Sequence, residues 1–138
     1  MTKPSSLATL LKLRRCQRDA AHAAFGQAQR TLTLFEQRRR AWRETAAAEC
    51  AAHGDDATLV ATSWLEAARL REWQGADEAK RLREAVVEAE RHYRAADLAL
   101  EQIVQLRHRQ RERARQTDAR RLQHRLDDVP RPDPAHGI

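Results

Sequence analysis

Proline is missing from almost the whole chain. The sequence has 138 residues and four prolines, Pro4, Pro130, Pro132 and Pro134, so residues 5–129 contain none. Average usage would supply ~7 prolines over this length. A proline inside a helix costs ~3 kcal/mol. A long proline-free interval rich in Ala, Arg, Leu, Glu and Gln therefore predicts long helices. Glycine is as scarce, at four residues. A β-sandwich or barrel needs turn residues every ~8–12 positions and many β-branched residues, and a Rossmann or P-loop enzyme needs glycine-rich turns after strands. None of these patterns is present.

Core-forming residues are also few. Aromatics make up 4% of the chain, as Phe25, Phe35, Trp42, Trp64, Trp73 and Tyr93, and 33% of residues are charged. A compact globule of this size buries ~70% of its unfolded surface, which this composition does not supply. An elongated fold with a narrow apolar seam fits better. Only two cysteines occur, Cys16 and Cys50. On one helix their separation corresponds to ~51 Å at ~1.5 Å per residue, far beyond the ~7 Å that a disulfide allows. A disulfide scaffold is excluded and a reducing compartment is the expectation. The patch from Leu7 to Leu11 is too short for a signal-peptide core. No segment approaches the ~18 apolar residues of a membrane span. The sequence reads as a soluble, cytoplasmic protein without an integral membrane segment.

What remains is helix. The strongest break is His53-Gly54-Asp55-Asp56, where Gly54 suits the left-handed position after a helix. Ser63-Trp64-Leu65-Glu66 reads as a capping box, with Ser as N-cap and Glu three residues on. Helix 1 is predicted over about 6–52, a loop over 53–62, and helix 2 over about 63–126. Residues 127–138, with their prolines, are expected to be a disordered tail.

The apolar period predicts how the helices pack. In helix 1, Phe25, Ala28, Leu32, Phe35, Trp42 and Ala46 follow steps of three, four and seven, and Arg39 occupies the skipped position. In helix 2, Ala79, Leu82, Val86, Ala89, Tyr93, Ala96, Leu100 and Ile103 alternate three and four without a gap. A mean step of ~3.5 marks a coiled-coil seam, whereas a helix in a globular core shows a wider stripe. A short loop folds the helices antiparallel. The fold class is therefore all-α, a long two-helix coiled-coil hairpin. Pairing between chains by straight helices is the alternative. If paired residue numbers total ~115, given a loop centred near 57–58, Trp42 falls beside Trp73, Leu32 beside Leu82, Ala21 beside Tyr93 and Leu11 beside Ile103. Arg18 then faces Asp97, Arg14 faces Glu101 and Arg39 lies near Glu72. Helix 2 should overhang helix 1 by roughly 16 residues, or ~24 Å.

Charge is segregated along this hairpin. Residues 1–52 are net +6, residues 53–106 net −4, and residues 107–125 carry eight Arg against Glu112 and Asp118. Both basic regions fall at the open end. Arg107, Arg111 and Arg115, and Arg109 and Arg113, repeat like charge at i,i+4, which destabilises an isolated helix. A solvated helix face is the bland explanation. A docking end for an acidic partner, made of Arg14, Arg15, Arg107, Arg109, Arg111, Arg113 and Arg115, explains the single sign. Nucleic acid fits less well, because the Arg-rich stretch lacks the Asn and aromatic residues that read or stack bases. At the loop end, Trp64 has no evident partner and with Leu65 is a candidate binding anchor; Leu59 and Val60 folding back over Trp64 is the equal alternative. The six histidines form no H-E-x-x-H pair, and no cysteine pair supports a zinc site. No catalytic residue, metal ligand or cofactor site is legible, and the expectation is a non-enzyme. Gly26 and Gly75 mark slight bends or close helix approach.

Leu7-Ala8-Thr9-Leu10-Leu11-Lys12-Leu13-Arg14-Arg15, opening a charged two-helix chain, resembles the YscO-type type III secretion proteins. The loop followed by Ser63-Trp64-Leu65 is similar to the start of the second helix in their flagellar relative FliJ. The resemblance spans about residues 5–126 and carries no position-by-position functional set. It implies a central stalk similar in shape to the two-helix coiled coil of the rotary ATPase γ subunit. Its open end would enter the hexameric secretion ATPase, and the rest would contact the cytoplasmic domain of the export gate. The protein would then sit peripherally on the secretion apparatus at the inner membrane. Some members bind secretion chaperones. The competing classes are a nucleic-acid-associated coiled coil and a plain dimerisation scaffold.

Overall fold

In a computed structural model of the chain, residues 6–53 and 58–130 are described, with side chains at 6–52 and 64–130. The predicted disordered tail beyond residue 130 and the fold-back of Leu59 and Val60 lie outside these described residues and side chains, as do loop positions 54–57. Two helices account for the regular structure among the described residues. They are α1 (Ser6–His53, 48 residues) and α2 (Thr58–Asp127, 70 residues). At 1.5 Å per residue they extend ~72 and ~105 Å. The Arg18 guanidinium lies 4.0 Å from Asp97, Arg83 lies 3.7 Å from Glu36, and Arg39 lies 2.7 Å from Glu72. Partner numbers fall on α2 as they rise on α1, so the helices pack antiparallel. The fold is the all-α hairpin that the sequence predicts.

The seam follows the heptad pattern. On α1 the covered positions run Leu7, Leu11, Arg14, Arg18, Ala21, Phe25, Ala28, Leu32, Phe35, Arg39, Trp42 and Ala46. On α2 they run from Glu72 and Gly75 through Ala79, Leu82, Val86, Ala89, Tyr93, Ala96, Leu100 and Ile103 to Arg107. Phe25 and Tyr93 stack at 6.2 Å between ring centroids, and His22 tilts against Tyr93 at 5.0 Å. Two helices cover only one side of each seam residue. Leu11, Ala79 and Leu100 are buried, while Leu82, Val86, Ile103 and the seam aromatics are half-buried. The accessible surface is 12,093 Å², against ~7,400 Å² for a compact chain of this mass. The hairpin is thin along its whole length.

Two expectations need correction. Helix 2 begins at Thr58, five residues before the predicted start, so Ser63 lies inside α2 and is not its N-cap. The segment Thr58–Ser63 contains neither Gly nor Pro. Carrying a helix through Thr, Val and Ser costs at most ~0.7 kcal/mol per residue, so the capping-box pattern alone does not start the helix. The second correction concerns Trp73, which is 69% exposed and does not pair with Trp42. At this level the seam position falls on Glu72, one residue before Trp73. Glu72 and Gly75 turn inward, and Trp73 lies ~100° around the helix from Glu72.

Glu72 takes the place meant for the tryptophan. Its Oε1 accepts from Arg39 Nη2 at 2.7 Å and from Arg43 Nε at 2.9 Å. Gly75 makes room for this arrangement, because a Cβ there would sit 3.3 Å from Arg39 Nε. Trp42 is covered by Arg71, whose guanidinium carbon lies 4.6 Å from its ring centroid, a cation–π contact. The Arg43 hydrogen bond is the main influence holding the Glu72 carboxyl below its usual range. Partial burial opposes it, and Arg39 adds to it. A carboxyl with a depressed folded pKa stabilises above its unfolded value of ~4.3 and loses that contribution as pH falls through the folded one. Replacing Glu72→Gln should therefore lower the melting temperature at pH 7. The gap to wild type should close as the pH is taken below ~4. Thermal melts at pH 7 and pH 3 check this.

Candidate functional site

The open end of the hairpin is where the charge concentrates. Helix α1 starts at Ser6, level with about residue 109 of α2, so ~18 residues of α2 continue past the start of α1 for ~27 Å. From residue 108 to 130 every position is exposed except half-buried Glu112. Arg109, Arg111, Arg113 and Arg115 are exposed, and Arg107 is half-buried at the edge of the seam. Arg115 Nη1 donates to Glu112 Oε1 at 3.3 Å, the one ion pair on this stretch among the described residues. The helix closes with Asp128 N–H donating to the His124 carbonyl at 3.0 Å, one residue beyond Asp127. Sequence reasoning missed Leu122 and Leu126, 59% and 65% exposed on this arm. They are off the seam phase, so the heptad pattern does not reveal them.

On α1, Arg15 is exposed, but Arg14 belongs to the seam. Its Nη1 donates to Gln17 Oε1 at 3.1 Å, and its Nε is buried without a hydrogen-bond partner. The expected pair with Glu101 is absent among the described ion pairs. Leu100 is the buried seam residue at this end of α2, and Glu101, one residue on, is exposed. Arg18–Asp97 and Arg39–Glu72 do form as predicted. The more exposed Arg18–Asp97 pair is of a kind that contributes only ~0.2–1 kcal/mol.

Towards the loop, Trp64 is half-buried rather than unpartnered. It lines a shallow cleft with Trp42, Ala46, Ala68 and Arg71. Leu65 is 46% exposed beside it. The exposed indole is Trp73, flanked one turn away by Leu70, itself 56% exposed. Iodide should quench Trp73 most strongly, and Trp73→Phe should remove most of the quenchable emission. Stern–Volmer titration of the two proteins measures this.

Among the described residues, no group of three or more His, Cys, Asp or Glu side chains is placed to hold a metal ion. No helix there is long and apolar enough to cross a membrane. The arrangement offers charge and helix surface, namely a projecting basic arm on a two-helix hairpin. No known protein family, curated protein or solved structure matches the chain.

Proposed function

We propose that this chain is the non-enzymatic central stalk of a type III secretion apparatus, linking the hexameric secretion ATPase to the export gate. One observation carries the reading: the basic end of α2 projects past its partner helix as a single exposed arm. A lone helix with repeated like charge gains nothing from its own chain. It becomes favourable against an acidic ring that neutralises it. The rigid hairpin behind the arm supplies length and torsional stiffness, which a stalk requires. Gate contact and chaperone binding then belong to the remaining surface, and the site of action is cytoplasmic, at the inner membrane. The test is binding of the full chain to the secretion ATPase across a salt series. Binding should be strong at low ionic strength and weaken steeply, because the Debye length falls from ~10 Å at 0.1 M to ~3 Å at 1 M. Salt-dependent retention on DNA without ATPase binding would favour the nucleic-acid class instead.

A further inference from the structure

The two flanks of the hairpin differ in kind. One flank carries the cross-helix ion pairs Arg18–Asp97, Arg83–Glu36 and Arg43–Glu72. On the other flank, over its open half, α1 presents a second 3,4 series that contains no charge from residue 10 to residue 34. The series reads Leu10, Leu13, Gln17, Ala20, Ala24, Gln27, Thr31 and Leu34. All but half-buried Leu10 are exposed, Leu13 at 51% and Leu34 at 53%. Alongside it, the same flank of α2 runs through Ala85, Ala95 and Ala99 to exposed Leu106, with Glu88 held by His92 at 3.2 Å. In a chain that is 33% charged, a face of this extent whose α1 half carries no charge, and whose α2 half carries Glu88 paired with His92 and Arg91, is a packing surface without its partner.

The order of residues identifies the occupant. The α1 series is close to a palindrome about position 22. Folded onto an antiparallel copy of itself, Leu10 meets Leu34, Leu13 meets Thr31, Gln17 meets Gln27, and Ala20 meets Ala24. Small residues meet at the centre, where two helices must approach closely. Amides meet amides, and leucines close both ends. We infer that this face is the interface of an antiparallel homodimer, with a two-fold axis crossing the rod near residue 22 and α1 packed on α1 of the second copy. Such a contact is isologous, each residue meeting its symmetry mate.

Charge selects the antiparallel direction. A parallel dimer would set both basic ends side by side, with eight Arg of residues 107–125 against eight more. The antiparallel dimer places them at opposite ends of the assembly. The area is adequate as well. The neutral span is ~36 Å long at ~1.5 Å per residue and two helices of ~10 Å wide. That gives ~720 Å² on each copy, within the range of stable interfaces at ~800 Å² per partner. The inference concerns a different face from the basic arm and does not depend on the stalk reading.

Sedimentation equilibrium of the full chain should give twice the 15.9 kDa chain mass at micromolar concentration. An Ala20→Glu, Ala24→Glu variant places four carboxylates at the centre of the dimer. It should sediment as a monomer at concentrations where the wild type is dimeric, with the helical signal retained in circular dichroism. Direction is read by cross-linking in a Cys16→Ser, Cys50→Ser background. Oxidising a mixture of Leu10→Cys and Leu34→Cys chains should link the two different variants, while Leu10→Cys alone should not link to itself. A wild type that stays monomeric overturns the inference, as would be found if another protein's helix covers this face. A carboxylate variant that remains a dimer, or self-linking of Leu10→Cys, overturns it equally.

Discussion

Replacing Ala79→Asp should lower the melting temperature of the hairpin by on the order of 10–25 °C. Ala79 has no accessible surface at all and lies in the seam. An aspartate there adds volume where there is none to spare, which costs ~1–3 kcal/mol. It also brings a carboxylate out of water without a partner, for a further ~2 kcal/mol or more. A total of ~3–5 kcal/mol is a large fraction of the 5–15 kcal/mol that holds a domain folded, and each kcal/mol moves the midpoint by roughly 2–8 °C. The matched control is Ala76→Asp, three residues earlier and exposed, which should change stability by no more than ~0.5 kcal/mol. The difference between the two melts isolates the seam. If both variants melt like the wild type, the helices do not pack along Ala79.

The second large effect belongs to the basic arm. Replacing Arg107, Arg109, Arg111, Arg113 and Arg115 together by Ala should leave the hairpin intact. Only Arg107 touches the seam, and only at its edge. The substitution removes one ion pair, Arg115–Glu112. It also removes the like-charge neighbours Arg107/Arg111, Arg111/Arg115 and Arg109/Arg113, each unfavourable by ~0.2–0.5 kcal/mol. Alanine is in addition the best helix former. The arm should therefore gain helix stability while it loses its charge. On the stalk reading, affinity for the secretion ATPase at low salt should fall on the order of 10- to 1,000-fold, since each exposed charge contact is worth ~0.2–1 kcal/mol. Stimulation of the ATPase and secretion should be lost with it. A penta-alanine variant that binds the ATPase as tightly as the wild type at low salt would remove the arm as the docking end. Circular dichroism of the same preparation separates loss of binding from loss of fold.

Much of this molecule is legible in one dimension. The absence of proline over residues 5–129 and the alternation of threes and fours from Ala79 to Ile103 determine two long helices with one seam. The run of arginines determines which end is basic. These are local properties, because helix propensity and amphipathic phase depend on residues within a few turns. The pairing of Leu11 with Ile103, Ala21 with Tyr93 and Leu32 with Leu82 is an expectation from loop position and seam phase, and all six residues lie at covered seam positions.

The tertiary structure decided what local rules leave open. Counting residues from the loop gives the axial level of a pair, but the direction in which a side chain points turns ~100° with each residue. An error of one residue was enough to set Trp73 against Trp42, when the space is filled by Glu72, Gly75 and the Arg39 guanidinium. The same single step separates Arg14 from Glu101. Helix α2 starts at Thr58 because nothing between Thr58 and Ser63 resists helix, whatever cap Ser63 could offer. The distinction between a bridged flank and a neutral one exists only after two helices are docked. It depends on which side of α1 faces which side of α2, and packing alone settles that.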